Sequence, residues 1–124
     1  MGGLVTAVLI IEDDKANREV FTKILARAGF TVESAENGLE AIQLLGNATY
    51  DVIVCDIAMP MLSGIEFFEQ METTYPQMVS RTMFVTAYAD DPRMKGFLKR
   101  TGAPVLEKPV QLPALVEAVR KMAG

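Results

Sequence analysis

The chain has 124 residues, half of them hydrophobic, which suits one domain with a single core. Its net charge is −4, from 12 basic and 16 acidic residues, which gives no support for direct nucleic-acid binding. It contains no histidine, which excludes imidazole-based general-base, triad and zinc chemistry from within the chain.

Cys55 is the single cysteine, so no internal disulfide is available, and a reducing compartment, the cytoplasm, is expected. No apolar run reaches the roughly 18 residues of a membrane span. The start, MGGLVTAVLII, lacks the charged n-region and cleavage site of a signal peptide. Residues 1–3 carry no fold information, and the domain core is expected over about 5–123 of a single unit spanning 1–124.

Apolar runs and helical spacing alternate along the chain. TAVLII (6–11) is a short apolar strand that stops at Glu12, Asp13 and Asp14. Asp14 is read as a helix N-cap. NREVFTKILARAG (17–29) places Val20, Phe21, Ile24, Leu25 and Ala28 at helical spacing, with Gly29 as its stop. TVESA (31–35) alternates like an edge strand, and GLEAIQLLG (38–46) returns to helix. In DVIVC (51–55) the run Val52–Cys55 is apolar throughout, as expected of a strand buried on both faces, and it runs into Asp56. GIEFFEQMETTYP is helical until Pro76, and RTMFVTA (81–87) is a fourth strand. DDPRMKGFLKRTG opens with Asp91 before Pro92, a cap followed by proline at the first helical position, and ends at Gly102. PVLE (104–107) is a short fifth strand, and LPALVEAVRKMA is the last helix.

Strands alternating with helices force a parallel sheet, because each crossover returns over a face. Right-handed crossovers with helices on both faces give an open, doubly wound sandwich. Its ligand site lies beyond the carboxyl ends of the strands. There the chain delivers Glu12 and Asp13, Asp56, Thr86 and Ala87, and Lys108. Clustered carboxylates repel one another, and partial burial increases that cost. A bound cation relieves it, and oxygen-only ligands suit Mg²⁺ or Mn²⁺. Magnesium binds readily together with phosphate oxygens, and a carboxylate can itself accept a phosphoryl group. Lys108 would offset charge on phosphoryl oxygens in the transition state, and Thr86 could hydrogen-bond one of them. Gly64 is expected to supply a loop conformation that other residues resist.

Glu12-Asp13, Asp56 followed by IAMPMLSG, Thr86-Ala87 and Lys108-Pro109 resemble the receiver domain of two-component response regulators. The resemblance covers essentially the whole chain. It implies a flavodoxin-like (βα)5 fold with a five-stranded parallel sheet in the order 2-1-3-4-5. It implies that Asp56 accepts a phosphoryl group from a phosphohistidine on a histidine kinase or a histidine-phosphotransfer domain. Asp13 and Asp56 would bind Mg²⁺, Glu12 would assist through water, and the Ala58 backbone carbonyl would be a further protein ligand. Lys108 and the Ala87 backbone would contact the phosphoryl group, Thr86 would move to it, and the Lys108–Pro109 bond would be cis. APVLEKPV is similar to receivers attached to hybrid histidine kinases. The face of the fourth helix, fifth strand and fifth helix is the expected output and weak-dimer surface, with the monomer as the alternative. No membrane contact is expected.

Two positions shape the expected output. Val105 stands where many receivers carry an aromatic residue, so a rotating ring on the fifth strand is not available. Ala58 has no side chain to position or activate water, so slow to moderate self-dephosphorylation is expected. Ala58 also stands where an aspartyl-nucleophile phosphohydrolase carries its acid/base, which disfavours that enzyme. A phosphorylation-independent interaction module would lack an acidic, Asp, Thr or Lys position, and none is missing. Without a Gly-rich loop after the first strand, a nucleotide-binding domain is the remotest reading. Cys55 and most methionines are read as core or loop filler, and KGFLKR (95–100) as a solvated helix face.

Overall fold

The computed structural model describes residues 6–57 and 63–124. Five strands, β1 (Ala7–Ile11), β2 (Thr31–Ala35), β3 (Val52–Asp56), β4 (Thr82–Thr86) and β5 (Val105–Glu107), form one parallel sheet in the order β2-β1-β3-β4-β5. The helices are α1 (Lys15–Arg27), α2 (Gly38–Leu45), α3 (Gly64–Thr74), α4 (Pro92–Thr101) and α5 (Leu112–Ala123).

The sheet is buried on both faces because its central strands alternate between two apolar clusters. Leu9, Ile11, Ile53, Cys55 and Phe84 pack on one side with Ala41, Leu45, Phe67, Phe68, Met71 and Phe97, from α2, α3 and α4. Val8, Ile10, Val52, Val54, Met83 and Val85 pack on the other with Phe21, Leu25, Leu115 and Val119, from α1 and α5. A side chain of this size contributes about 1.5–3 kcal/mol when fully buried.

Local signals set most element ends. Asp14, Asn37 and Asp91 cap α1, α2 and α4 by accepting from backbone N–H groups of Asn17, Glu40 and Arg93. Ser63 and Glu66 form a capping box at α3. Gly102 closes α4 in the left-handed conformation, φ 66°, where a Cβ would be strained. The sequence does not reveal a 3-10 helix at Pro76–Arg81; α3 ends at Thr74, and the chain makes this extra turn before β4. Strand β3 also runs one residue past the apolar run, to include Asp56.

Candidate functional site: an acidic cluster at the strand ends

The sheet order places β1 between β2 and β3, so the strand order reverses there and a crevice opens at the carboxyl ends. Ile11 pairs with Cys55, and the next residues along the chain are Glu12, just past β1, and Asp56, the last residue of β3. Asp13 follows Glu12, and carboxylate oxygens of Glu12, Asp13 and Asp56 lie within 4.8 Å of one another. Glu12 and Asp56 are buried and Asp13 is exposed.

Lys108 enters this cluster from the end of β5. Its Nζ donates to Glu12 Oε1 at 3.0 Å and to Asp56 Oδ2 at 3.1 Å. The Lys108 backbone N–H donates to the Thr86 carbonyl at 2.9 Å, which continues the ladder beyond β5. The following Lys108–Pro109 peptide bond is cis. Thr86 is buried at the end of β4, and its Oγ1 accepts from the Tyr88 N–H at 2.9 Å. Ala87 is exposed and lines an open groove of about 570 Å³ with Asn17, Val20, Phe21, Lys108 and Leu112. Ala58 lies outside the described residues.

Burial pushes the Glu12 carboxyl up to about 7; the Asp14 N–H and Lys108 oppose the shift, and the nearby Asp56 adds to it. Burial pulls Lys108 down, but its hydrogen bonds to Glu12 and Asp56 outweigh that and hold its pKa above the ordinary lysine value. Burial, then the charges of Asp56 and Glu12, hold the Cys55 thiol well above its usual value. Its Sγ–H donates to the Asp56 carbonyl at 3.2 Å, so the thiol is an inert core group beside the cluster.

The donor set is all oxygen, and two of its three carboxylates are buried beside a single ammonium. That composition fits a hard divalent cation such as Mg²⁺.

The structure corrects the reading of Gly64. Its φ is not positive; among the described glycines only Gly29 and Gly102 have that conformation. Glycine is needed at position 64 because a Cβ there would stand 2.6 Å from Ile57 Cα and 2.7 Å from the Asp56 carbonyl oxygen. Val105 is a half-exposed aliphatic residue, 38% exposed, and Tyr88 is 56% exposed on the loop after β4. Sequence reasoning missed Arg18, whose Nη1 donates to the Glu12 carbonyl at 2.8 Å. An arginine on the first turn or two of a helix gives no signal that separates this contact from a solvated charge.

The family model for the response regulator receiver domain matches residues 8–120. The chain belongs to the response regulator receiver domain family. This receiver domain is 37% identical over 108 residues to a cyclic di-GMP phosphodiesterase of Thermotoga maritima, covering 87% of this chain and 28% of that protein. It is 29% identical over 117 residues to the sensor kinase CckA of Brucella abortus, covering 93% of this chain and 12% of that protein. The chemotaxis protein CheY4 of Vibrio cholerae superposes with a TM-score of 0.86 at 28% identity, covering 96% of this chain and 99% of that one. The receiver domain thus spans less than a third of the length of these two curated relatives. No helix among the described residues is long and apolar enough to cross a membrane.

Proposed function

We propose that this receiver domain is the phosphoacceptor of a two-component phosphorelay and that Asp56 is the acceptor. The observation that carries the reading is Lys108 Nζ bonded to both Glu12 and Asp56, from positions 96 and 52 residues away in sequence. An ammonium fixed between these carboxylates stands where charge would develop on a transferred phosphoryl group.

In the proposed step an Asp56 carboxylate oxygen attacks the phosphorus of a phosphohistidine on a histidine kinase or histidine-phosphotransfer domain. The new O–P bond forms as the P–N bond breaks, and the imidazole leaves with the bonding pair. Lys108 releases Asp56 and turns to a phosphoryl oxygen. Thr86 releases the Tyr88 N–H and its hydroxyl donates to a phosphoryl oxygen, and the Ala87 backbone N–H donates to the same phosphoryl group. Glu12, Asp13 and Asp56 would hold Mg²⁺ or Mn²⁺, with the Ala58 carbonyl as a further ligand. The ion, when bound, neutralises phosphoryl charge. The domain catalyses its own phosphorylation and acts as a switch, as one unit over about 5–123, in the cytoplasm. It is a stand-alone receiver or the receiver of a hybrid histidine kinase or longer regulator, and output or weak dimerisation uses α4, β5 and α5.

The test is incubation with acetyl phosphate and Mg²⁺ followed by intact mass. A hydroxylamine-labile phosphoryl adduct is expected on the wild type and none on Asp56→Asn. An adduct that persists in Asp56→Asn would overturn the assignment. Turnover of small phosphomonoesters would favour a phosphohydrolase instead.

A further inference from the structure

Beyond the end of β1 the chain leaves the sheet, and among the described residues no strand N–H donates to the carbonyls of Glu12 and Asp13. Arg18 supplies the donor. Its Nη1 reaches the Glu12 carbonyl at 2.8 Å and the Asp13 carbonyl at 3.3 Å. Its Nη2 lies 4.0 Å from Glu36 Oε2 on the turn after β2, and the Arg18 side chain is only 17% exposed. The Arg18 backbone N–H donates to the Asp14 carbonyl at 2.9 Å, which anchors the side chain one helical turn from the residues it holds. One planar group therefore ties the turn bearing two of the clustered carboxylates to α1 and to the neighbouring turn.

We propose that Arg18 is a positioning residue for divalent-ion binding: its guanidinium fixes the Glu12–Asp13 turn so that these carboxylates face Asp56 at ion-binding separation. The proposal rests on reading the acidic cluster as the metal site. Two physical effects of Arg18 have opposite signs. As a nearby positive charge it repels a cation, so removing it would tighten binding. As a planar group whose Nη1 holds two carbonyls while its Nη2 faces Glu36, it pre-organises the ligands, so removing it weakens binding. Lysine keeps the charge but offers a compact ammonium on a flexible stem, which does not reproduce a planar fork. Arg18→Lys therefore separates the two effects.

The full chain is titrated with Mn²⁺, the free ion being followed by its electron paramagnetic resonance signal. The proteins are wild type, Arg18→Lys, Arg18→Met, Asp13→Asn and the exposed-helix control Lys23→Met. Urea midpoints in EDTA report folding separately. A side chain that only stabilised the fold would move the midpoint and leave the dissociation constant in place. Both Arg18 variants are expected to bind Mn²⁺ roughly 10-fold more weakly, in line with losses on removing groups that orient metal ligands. Lys23→Met is expected to stay within about twofold, a change far below that loss. Wild-type affinity in Arg18→Lys, or tighter binding in Arg18→Met, overturns the positioning role alone. If Arg18→Met does not fold, Arg18→Lys decides. No binding by wild type, or unchanged binding by Asp13→Asn, overturns the metal-site reading and this proposal with it.

Discussion

Replacing Gly64 with alanine tests how tightly α3 is seated against the site. Gly64 opens α3 and its N–H donates to the Ile57 carbonyl at 2.9 Å, which draws the helix onto the end of β3. An added Cβ would meet Ile57 Cα at 2.6 Å, the Asp56 carbonyl oxygen at 2.7 Å and the Ile57 carbonyl oxygen at 3.2 Å. Comfortable carbon contacts begin near 3.5 Å, so the two segments must part by roughly 0.9 Å. All three opposing atoms are backbone, and no flexible side chain can yield instead. Overpacking of this kind costs about 1–3 kcal/mol. With a urea dependence of about 1–3 kcal/mol per molar, the unfolding midpoint falls by roughly 0.3–3 M. The displaced carbonyl belongs to Asp56 itself, so labelling by acetyl phosphate slows as well. Gly96 provides the matched control: it lies inside α4, and a Cβ there meets nothing within 4 Å. Gly96→Ala removes a glycine from a helix interior and stabilises by about 0.5–1 kcal/mol. The same chemical change thus has opposite signs at two positions. A Gly64→Ala midpoint equal to wild type, or a lowered one for Gly96→Ala, would refute the steric argument.

Three further outcomes are expected. Glu12 carries a folded-state pKa pushed up to about 7 from 4.5, so across that interval the native state holds more protons than the unfolded chain, and stability in EDTA falls as pH rises. Lys108, whose pKa is raised, adds stability that is lost only above the ordinary lysine range and does not act in this window. Urea midpoints at acid and neutral pH should show this slope in wild type and a flatter one in Glu12→Gln; equal slopes would count against the burial argument. Phe97→Ala should cost about 3–5 kcal/mol, because Phe97 is the buried anchor of α4 and packs edge-on to Phe68 and Phe84 with ring centres 5.5 and 5.2 Å apart. Faster amide hydrogen exchange across α4 is the readout, and a loss below about 1 kcal/mol would fall short of a buried aromatic. Phosphorylated protein with Mg²⁺ should hold its phosphoryl group well beyond seconds by intact mass; a half-life of seconds would show that Ala58 does not limit water attack.

The fold was legible because local and global signals agree. Val52, Ile53, Val54 and Cys55 form a continuous apolar run, and both faces of β3 are in fact covered. Asp91-Pro92 and Gly102 marked both ends of α4, and both marks act through backbone conformation and local hydrogen bonds. Glu12, Asp13, Asp56 and Lys108 were legible as a group because a parallel sheet brings strand ends to one edge whatever their separation in sequence. Gly64 was singled out for the wrong cause, since sequence cannot distinguish a glycine needed for its φ from one needed for its missing Cβ. Arg18 was invisible for a related reason: its partners are backbone carbonyls, which every residue carries, so no residue-type pattern records the contact. The 3-10 helix at Pro76–Arg81 begins at the proline itself, where a helix end had been the simpler expectation.

The charge of the cluster also bears on how the switch is built. Glu12 and Asp56 are held side by side by the ladder between β1 and β3, in which Ile11 lies opposite Cys55, not by any attraction between them. Lys108 offsets part of their repulsion through two hydrogen bonds, so any group that takes Lys108 away from them must bring its own positive charge or accept theirs. On the proposed reading, a divalent ion and a phosphoryl group arriving together meet that condition, the ion compensating the carboxylates as Lys108 turns to the phosphate. The next link is Thr86, whose hydroxyl already has a partner in the Tyr88 N–H. Turning Thr86 toward a phosphoryl oxygen leaves that N–H to find another acceptor on an exposed loop, where water can supply one. Val105 offers no ring to follow the threonine inward. The rearrangement is therefore expected in the backbone at Ala87 and Tyr88 and in the seating of α4 just beyond them, where Phe97 alone among the helix residues is fully enclosed.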